Sequence, residues 1–195
     1  MRNAEIKRQT GETSINIKLD IDGTGKRKIN TGIGFLDHML DLFAKHGLFD
    51  LEINCEGDLN IDSHHTIEDV GIALGTAFDQ AIKDKKGIKR YGQKILPMDE
   101  VLCLCSIDFS GRAYFVMDAE FNNDKVNDFP TECVDDFFYS VAINAKANIH
   151  FKLFTGKNDH HKIEAMFKAF ARAMREACEM DPRAINDIPS TKGVL

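Results

Sequence analysis

The sequence carries one short pattern twice: DSHHTIEDVG at residues 62–71 and NDHHKIEAM at residues 158–166. Four of the seven histidines of the chain lie in these two stretches. Each copy begins a stretch in which apolar residues recur with helical period. The elements around each copy also follow one order: a hairpin, a helix, a strand and the His-His helix. We therefore predict an α+β protein built by internal duplication, with two similar α/β halves packed together.

The periodicity on either side of the motifs predicts the individual elements. Residues 14–21 alternate polar and apolar side chains, a Gly-Thr-Gly-Lys turn begins at Gly23, and residues 28–31 follow, so we predict a β-hairpin here. A helix is predicted from Gly34 to a C′ residue at Gly47. Further strands are predicted over residues 51–55, 101–107, 113–120 and 149–154, and further helices over residues 66–82, within 132–148 and from 159 onward.

Length and composition limit the classes of function. The 195 residues are 43% hydrophobic and 29% charged, which is typical of a globular protein with a real core. A net charge of -6 argues against nucleic acid or an anionic membrane as the main partner. Neither a membrane span nor a signal peptide is predicted, so a cytoplasmic protein is expected. The alternating Cys103 and Cys105 are expected to be buried and reduced on one face of a strand.

Helical geometry explains the spacing within each motif. His64 and Glu68 are four residues apart, so both project from one face of a helix and can bind one metal ion. The same holds for His160 and Glu164. The second histidine of each pair, such as His65, points about 100° away and does not easily join its neighbour. Each helix start therefore offers ligands to two different ions.

Two pseudo-symmetric helices of this kind suggest an exchange of ligands. The first His/Glu pair would take His161, and the second pair would take His65, from the other half or from a neighbouring subunit. His38 and Asp136 occupy equivalent places in the preceding helices and would add one ligand to each set. Imidazole and carboxylate ligands without thiolate suit manganese, iron or zinc, and open positions favour Mn²⁺.

A simpler interpretation applies to one His-His pair taken alone. Such a pair is more often a surface feature or part of a helix cap than a metal site. Asp62 and Asp159 are the expected cap residues in either case. The duplication of the whole five-residue pattern favours metal binding over this interpretation.

Several further motifs carry a resemblance to a known family. The chain resembles imidazoleglycerol-phosphate dehydratases through Arg8-x-Thr-x-Glu12-Thr, GIGFLDHML (32–40), DSHHTIEDVG (62–71), DFSGR (108–112), HHKIEAMFKAFARA (160–173) and PSTKGVL (189–195). The resemblance runs end to end, and it implies the monofunctional form, which lacks a fused phosphatase domain.

The resemblance implies a fold and an assembly. It implies two repeated halves in one compact unit, residues 1–92 and 93–195, each with a four-stranded sheet and two helices, as in the ribosomal protein S5 domain 2-like fold. The second half would include a C-terminal substrate-binding tail. The family assembles into a 24-subunit homo-oligomer with active sites between subunits.

The resemblance also implies two manganese ions per active site. One set of ligands would be His38, His65, His160 and Glu164. The other would be His64, Glu68, Asp136 and His161. At Asp136 the family has histidine in some members and a carboxylate in others.

The implied reaction is the dehydration of D-erythro-imidazole glycerol phosphate to imidazole acetol phosphate in histidine biosynthesis. The proton to be removed is not next to a carbonyl, so the charge needs another sink. Two metal ions on the imidazole nitrogens would stabilise an imidazolate-like intermediate. Glu12 is the candidate acid or base, with His46 and the metal-bound groups as rivals.

The candidate residues form two overlapping groups. The candidate catalytic residues are Glu12, His46, His65, Glu68 and Glu164. The candidate substrate-binding residues are these five together with His38, His64, Arg90, Arg112, His160, His161, Lys168, Ser190, Thr191 and Lys192. Of these, Arg90, Arg112, Ser190 and Lys192 match the phosphate contacts of the family, and Lys168 is a further cation.

Two other classes of protein remain open at this stage. A metal-dependent phosphatase would also need two ions and basic anchors, but such sites usually carry bridging sets rich in aspartate. A metal-storage shell would hold ions through similar side chains, but ferritin-like chains are nearly all helix. Release of phosphate would identify the first class, and a purely helical dichroism spectrum would favour the second.

Overall fold

Each half of the chain forms one four-stranded sheet with the same topology. The computed structural model describes residues 2–195. The first sheet, in the order β1-β2-β4-β3, contains β1 (Asn3–Gln9), β2 (Thr13–Asp20), β3 (Arg27–Asn30) and β4 (Asp50–Gly57). The second, in the order β5-β6-β10-β7, contains β5 (Tyr91–Met98), β6 (Val101–Asp108), β7 (Tyr114–Asp118) and β10 (Asn148–Thr155). A small hairpin pairs β8 (Lys125–Val126) with β9 (Phe129–Pro130).

Both sheets are mixed in the same way. The first two strands of each sheet are antiparallel neighbours, and the third strand lies at the opposite edge, parallel to the last. The helices are α1 (Gly34–Gly47), α2 (His64–Ile82), α3 (Cys133–Ala145) and α4 (Asp159–Cys178). This repeated arrangement confirms the predicted α+β fold with two related halves. Within residues 2–195, no helix is both long and apolar enough to cross a membrane.

The helices join the two halves. α2 packs on β1 and β2, and α4 packs on β5 and β6, but α1 of the first half lies against α4, and α3 of the second half lies against α2. The centre of this arrangement is aromatic. Phe43 of α1 stacks on Phe170 of α4, with 5.1 Å between ring centroids, and Phe138 of α3 lies 4.5 Å from Phe151 of β10. These fully buried rings make one continuous core, because each removes a large apolar area from water.

The predicted hairpin between residues 14–21 and 28–31 is wrong. β2 pairs instead with β1 on one side and β4 on the other, while β3 lies at the edge and runs parallel to β4. Asp50, at the start of β4, accepts hydrogen bonds from the backbone N–H groups of Thr24 (2.7 Å) and Lys26 (2.9 Å). This carboxylate ties the turn to β4, so the turn leads past β4 instead of folding β3 back onto β2.

The end of α1 differs from the prediction by one residue. Gly47 is the last helical residue, and Leu48 takes the left-handed conformation with φ 58°. Glycine is nevertheless required at position 47, because a Cβ atom there would lie 2.3 Å from the ring of Phe49. The cysteines follow the prediction: Cys103 and Cys105 are buried on the same face of β6 and form no disulfide.

The contact between α2 and α3 generates a stability prediction. Alanine in place of glycine usually stabilises a helix by about 1 kcal/mol. At Gly75, however, the added Cβ would lie 2.6 Å from the carbonyl oxygen of Val141 and 3.0 Å from the nitrogen of Ala145. We expect Gly75→Ala to lower the free energy of unfolding by about 1–3 kcal/mol in urea titrations. Gly11→Ala is the control, because a Cβ atom at position 11 meets nothing within 4 Å. A Gly75→Ala protein as stable as wild type would contradict the close packing of α2 on α3.

Candidate active site

Local hydrogen bonds place the two His-His pairs at the starts of helices. At α2 the N-cap residue is Ser63 and not Asp62, but Asp62, one residue earlier, accepts a hydrogen bond from the backbone N–H of His64 at 2.8 Å. At α4 the side chain of Asn158 accepts from the backbone N–H of His161 at 3.3 Å. Both pairs are therefore held on the first turn of a helix, where their side chains face out of the helix layer.

Asp159, the other expected cap residue, has a different role. It lies inside α4 and is buried, and its carboxylate pairs with Lys162 at 2.9 Å and accepts hydrogen bonds from Asn122 and Asn123. The cap prediction is wrong here because Asn158, one residue earlier, takes the N-cap position. Asp159 instead fastens the loop at residues 122–123 to the start of α4.

One group of candidate ligands combines both halves of the chain. The Nε2 atom of His160 lies 3.2 Å from Oε2 of Glu164, and Nε2 of His38, from α1, lies 3.7 Å from the same oxygen. The ligand atoms of these three residues all lie within 4.8 Å of one another. The other oxygen of Glu164 pairs with Lys168 at 2.6 Å. Burial alone would raise the pKa of Glu164, but Lys168 and His160 outweigh it and hold the pKa below its ordinary value.

A second group also takes members from both halves. Nδ1 of His64 lies 3.6 Å from Oδ2 of Asp136 and 3.9 Å from Sγ of Cys133. Glu68 is half-buried one helical turn after His64. The sequence analysis missed Cys133, although it precedes Asp136 by three residues on one helix. Burial, reinforced by Asp136, raises the pKa of Cys133 to about 12, so it is a neutral thiol near pH 7.

The remaining histidine of each pair is held by a carboxylate outside these groups. Nδ1 of His65 lies 3.0 Å from Oδ2 of Asp58, and its Nε2 lies 3.7 Å from Glu12. Nδ1 of His161 lies 2.9 Å from Oε2 of Glu100. The hydrogen bonds to Asp58 and Glu100 raise the pKa values of the two histidines, and His161 lowers that of Glu100 to about 2. Within one chain each imidazole is thus turned toward its own carboxylate.

The two acid–base candidates lie in different surroundings. Glu12, on the turn between β1 and β2, is half exposed and faces the imidazole of His65. His46, in the last turn of α1, is half-buried, and burial together with the charges of Lys168 and Arg172 lowers its pKa. The neutral form of His46 is therefore favoured, whereas Glu12 lies beside a candidate ligand.

The C-terminal tail, which carries three of the candidate phosphate-binding residues, touches Arg90 and the loop at Gly111. Arg90 binds both carboxylate oxygens of Asp108, at 2.6 and 3.1 Å, and donates to the carbonyl oxygen of Pro189 at 2.8 Å. Arg112 is exposed on the neighbouring loop, whose Gly111 contacts the backbone of Leu195. Ser190, Thr191 and Lys192 follow in the tail. Arg90 thus fastens the tail next to a second cation.

The fold and these groups together define a class of protein. The chain is a duplicated α+β protein with two sets of imidazole and carboxylate groups, each close enough to hold a divalent ion. Two arginines, Arg90 and Arg112, lie beside the C-terminal tail. This combination is typical of an enzyme that acts on a small phosphorylated substrate with metal assistance.

Comparisons with known proteins give the family. The model of the imidazoleglycerol-phosphate dehydratase family matches residues 31–174. Imidazoleglycerol-phosphate dehydratases of Clostridium botulinum and Acetivibrio thermocellus are 53% and 55% identical over 194 residues, covering all of this chain and 98% and 99% of the relatives. The crystal structure of the Staphylococcus aureus dehydratase matches with a TM-score of 0.84 and 42% identity, over 92% of this chain and 99% of that one. A Pyrococcus furiosus structure, a complex with (S)-C348, matches with a TM-score of 0.85 and 35% identity, over 97% and 100%.

The chain belongs to the imidazoleglycerol-phosphate dehydratase family. It is therefore an enzyme, a hydro-lyase of histidine biosynthesis.

The ion pair on Glu164 generates a pH prediction for the metal-free protein. Because the folded-state pKa of Glu164 is lowered, its stabilising effect is present above its ordinary pKa of 4.5 and is lost as the pH falls through the folded value. Lys168→Met removes the largest stabilising partner of the carboxylate, so the loss should begin at a higher pH. We expect about 1–3 kcal/mol less unfolding free energy at pH 7.

The measurement is urea unfolding at pH 7 and at pH 4. Lys94→Met is the matched control, since Lys94 and Glu176 form an equally short pair, 2.6 Å, that is more exposed. We expect Lys94→Met to lower the free energy of unfolding by less than about 1 kcal/mol. If Lys168→Met and Lys94→Met lower the free energy of unfolding equally at both pH values, Glu164 is not a buried carboxylate stabilised by Lys168.

Proposed function

We propose that this enzyme dehydrates D-erythro-imidazole glycerol phosphate to imidazole acetol phosphate and water. The observation that carries the proposal is the pairing of ligands across the halves: His38 with Glu164, and His64 with Asp136. Two such groups suit a substrate that presents two ring nitrogens. Family membership supports the same reaction.

We assign two Mn²⁺ ions to these groups. The first would be held by His38, His65, His160 and Glu164, and the second by His64, Glu68, Asp136 and His161. The donor sets fit, because imidazole nitrogens and carboxylate oxygens converge in both groups. When bound, the ions would supply Lewis acidity toward the two nitrogens of the substrate imidazole.

His65 and His161 would come from neighbouring copies of the chain. In a single chain their Nδ1 atoms bind Asp58 and Glu100, so each ring is turned away from the three-residue groups. Each copy of the chain would then supply two incomplete sets of ligands. Its His65 and His161 would complete the sets of neighbouring copies.

Glu12 is our candidate for moving the proton at the reacting carbon. A substrate bound against His65 would lie within reach of this carboxylate, which is 3.7 Å from the ring nitrogen. The half exposure of Glu12 gives it room to turn toward the substrate. His46, neutral and close to Lys168, is the alternative.

The phosphate group would bind at the tail. Arg90, held by Asp108 and Pro189, and the exposed Arg112 would supply cations, and Lys168 would add a third beside Glu164. Ser190, Thr191 and Lys192 lie next to the carbonyl that Arg90 already binds. The tail would therefore close over the phosphate without a large rearrangement.

Self-assembly into a 24-subunit homo-oligomer is supported by the outer face of the second sheet. Large apolar side chains are exposed on this face: Tyr91 (58%), Ile95 (61%), Tyr114 (63%) and Phe154 (46%). The corresponding face of the first sheet carries Glu5, Lys18, Lys28 and Glu52 in neighbouring registers and is well solvated. An exposed apolar face of this kind marks a contact with another protein surface. Residues 1–92 and 93–195 would act as one unit within each subunit.

We place the enzyme in the cytoplasm. Its five cysteines are free and buried, which suits a reducing compartment. The net charge of -6 also gives no reason to expect a nucleic-acid or membrane partner.

The direct test is an assay of metal-stripped enzyme with imidazole glycerol phosphate, before and after Mn²⁺ is restored. We expect ketone product only with metal and no free phosphate at any stage. His64→Ala and His160→Ala should each lower kcat/KM by roughly a hundredfold or more, because each removes a ligand.

The control is Glu52→Gln, which changes an exposed carboxylate on the charged outer face of the first sheet and belongs to neither group. This variant should keep its activity once gel filtration confirms normal assembly. Free phosphate in place of ketone would overturn the dehydratase assignment in favour of a phosphatase. Full activity in the metal-stripped enzyme would overturn the metal assignment.

A further inference from the structure

In each His-His pair, the histidine that lies outside the two ligand groups, His65 or His161, has the same geometry. In both, Nδ1 is within hydrogen-bond distance of a carboxylate: 3.0 Å to Asp58 for His65, and 2.9 Å to Glu100 for His161. The sequence pattern does not contain these carboxylates, and they come from different loops. A repeated contact built from unrelated segments indicates a requirement of the histidines themselves.

The hydrogen bond determines what the far side of each ring can do. A carboxylate accepts a hydrogen bond, so Nδ1 carries the proton and the lone pair of the neutral ring lies on Nε2. The same contact also holds the plane of the ring. An imidazole held in this way presents one defined donor atom in one direction, which is how histidine ligands are commonly oriented in metal sites.

Glu100 is itself firmly held. Its Oε1 atom accepts hydrogen bonds from the backbone N–H groups of Lys157 (3.1 Å) and Asn158 (2.8 Å), while its Oε2 atom faces His161. Asn158 in turn caps α4 at His161. The carboxylate, the loop and the helix start therefore form one hydrogen-bonded unit.

Comparison of the two halves indicates the role of Asp58 beside His65. Glu100 immediately precedes β6, and Glu12 immediately precedes β2, so the two glutamates occupy equivalent places in the halves. Glu100 is used to hold a histidine, but the side chain of Glu12 is 53% exposed and lies 3.7 Å from its histidine. Asp58, on the loop after β4, takes over the contact with His65 and leaves Glu12 free.

We propose that Asp58 and Glu100 are positioning residues that hold His65 and His161 with Nε2 directed at the ions bound by neighbouring copies. Asp58 thereby releases Glu12 to act on the substrate. This inference rests on the proposed function, since it requires the two-ion site.

The test is a Mn²⁺ titration of the full-length, assembled protein, in which the electron paramagnetic resonance signal of free Mn²⁺ counts the bound ions. Asp58→Ala should bind one of its two ions per chain about 10- to 100-fold more weakly than wild type. Asp58→Asn should regain most of that affinity, because its amide oxygen can still accept from Nδ1. Glu100→Ala and Glu100→Gln should behave in the same way at the other ion.

Glu56→Ala is the matched control, since it removes a nearby exposed carboxylate on β4 and should bind both ions as wild type does. If Asp58→Ala does not fold, Asp58→Ser replaces it, because the shorter side chain cannot reach the ring. Urea unfolding of each variant separates a change in stability from a change in affinity.

The outcomes separate this inference from the proposed function. Wild-type protein that binds fewer than two ions per chain, or forms no ketone, would overturn the proposed function. Wild-type protein with two ions and full activity, beside an Asp58→Ala variant of unchanged affinity, would overturn the positioning role alone. Loss of affinity in Asp58→Ala without recovery in Asp58→Asn would also overturn it.

Discussion

The contacts between helices of opposite halves determine the rest of the structure. α1 packs on α4, and α3 packs on α2, so the layer of four helices cannot be divided into two independent halves. Phe43 and Phe170 lie at one crossing, and Gly71 and Gly75 allow the backbones to approach at the other. Because of the first crossing His38 reaches Glu164, and because of the second His64 reaches Asp136. Each group of ligands therefore exists only when both halves are folded together.

The sequence was sufficient for the features that follow from periodicity. The four helices, the duplication and the placement of His64 and His160 on helix starts could all be predicted from apolar spacing and repeated motifs. The strand pairing of the first sheet could not, since Asp50 redirects the turn before β3 through hydrogen bonds that leave no periodic signal. Asp58 and Glu100 were missed for a similar reason: they lie on loops, and only the fold brings them to the histidines.

The two halves have diverged where they meet their surroundings. Glu12 and Glu100 occupy equivalent places before β2 and β6, but Glu12 is exposed beside His65, whereas Glu100 binds His161 and two backbone amides. The sheets differ as well: the outer face of the first carries neighbouring charged residues, and that of the second also exposes large apolar side chains. The two halves are similar scaffolds, but one carries an exposed carboxylate beside His65 and the other exposes large apolar side chains on its sheet.

The central claim is that neighbouring copies complete each other's ligand sets, and subunit mixing tests it most directly. His65→Ala and His160→Ala should each be inactive alone, but a 1:1 mixture, stripped of metal and reassembled together with Mn²⁺, should complete about a quarter of its sites. In those sites, His65 of a His160→Ala chain would complete the ligand set of a His65→Ala chain, in which His38, His160 and Glu164 are intact. Recovered ketone formation in the mixture is the predicted result. A mixture that stays inactive, although native mass spectrometry detects both chains in one assembly, would contradict the account.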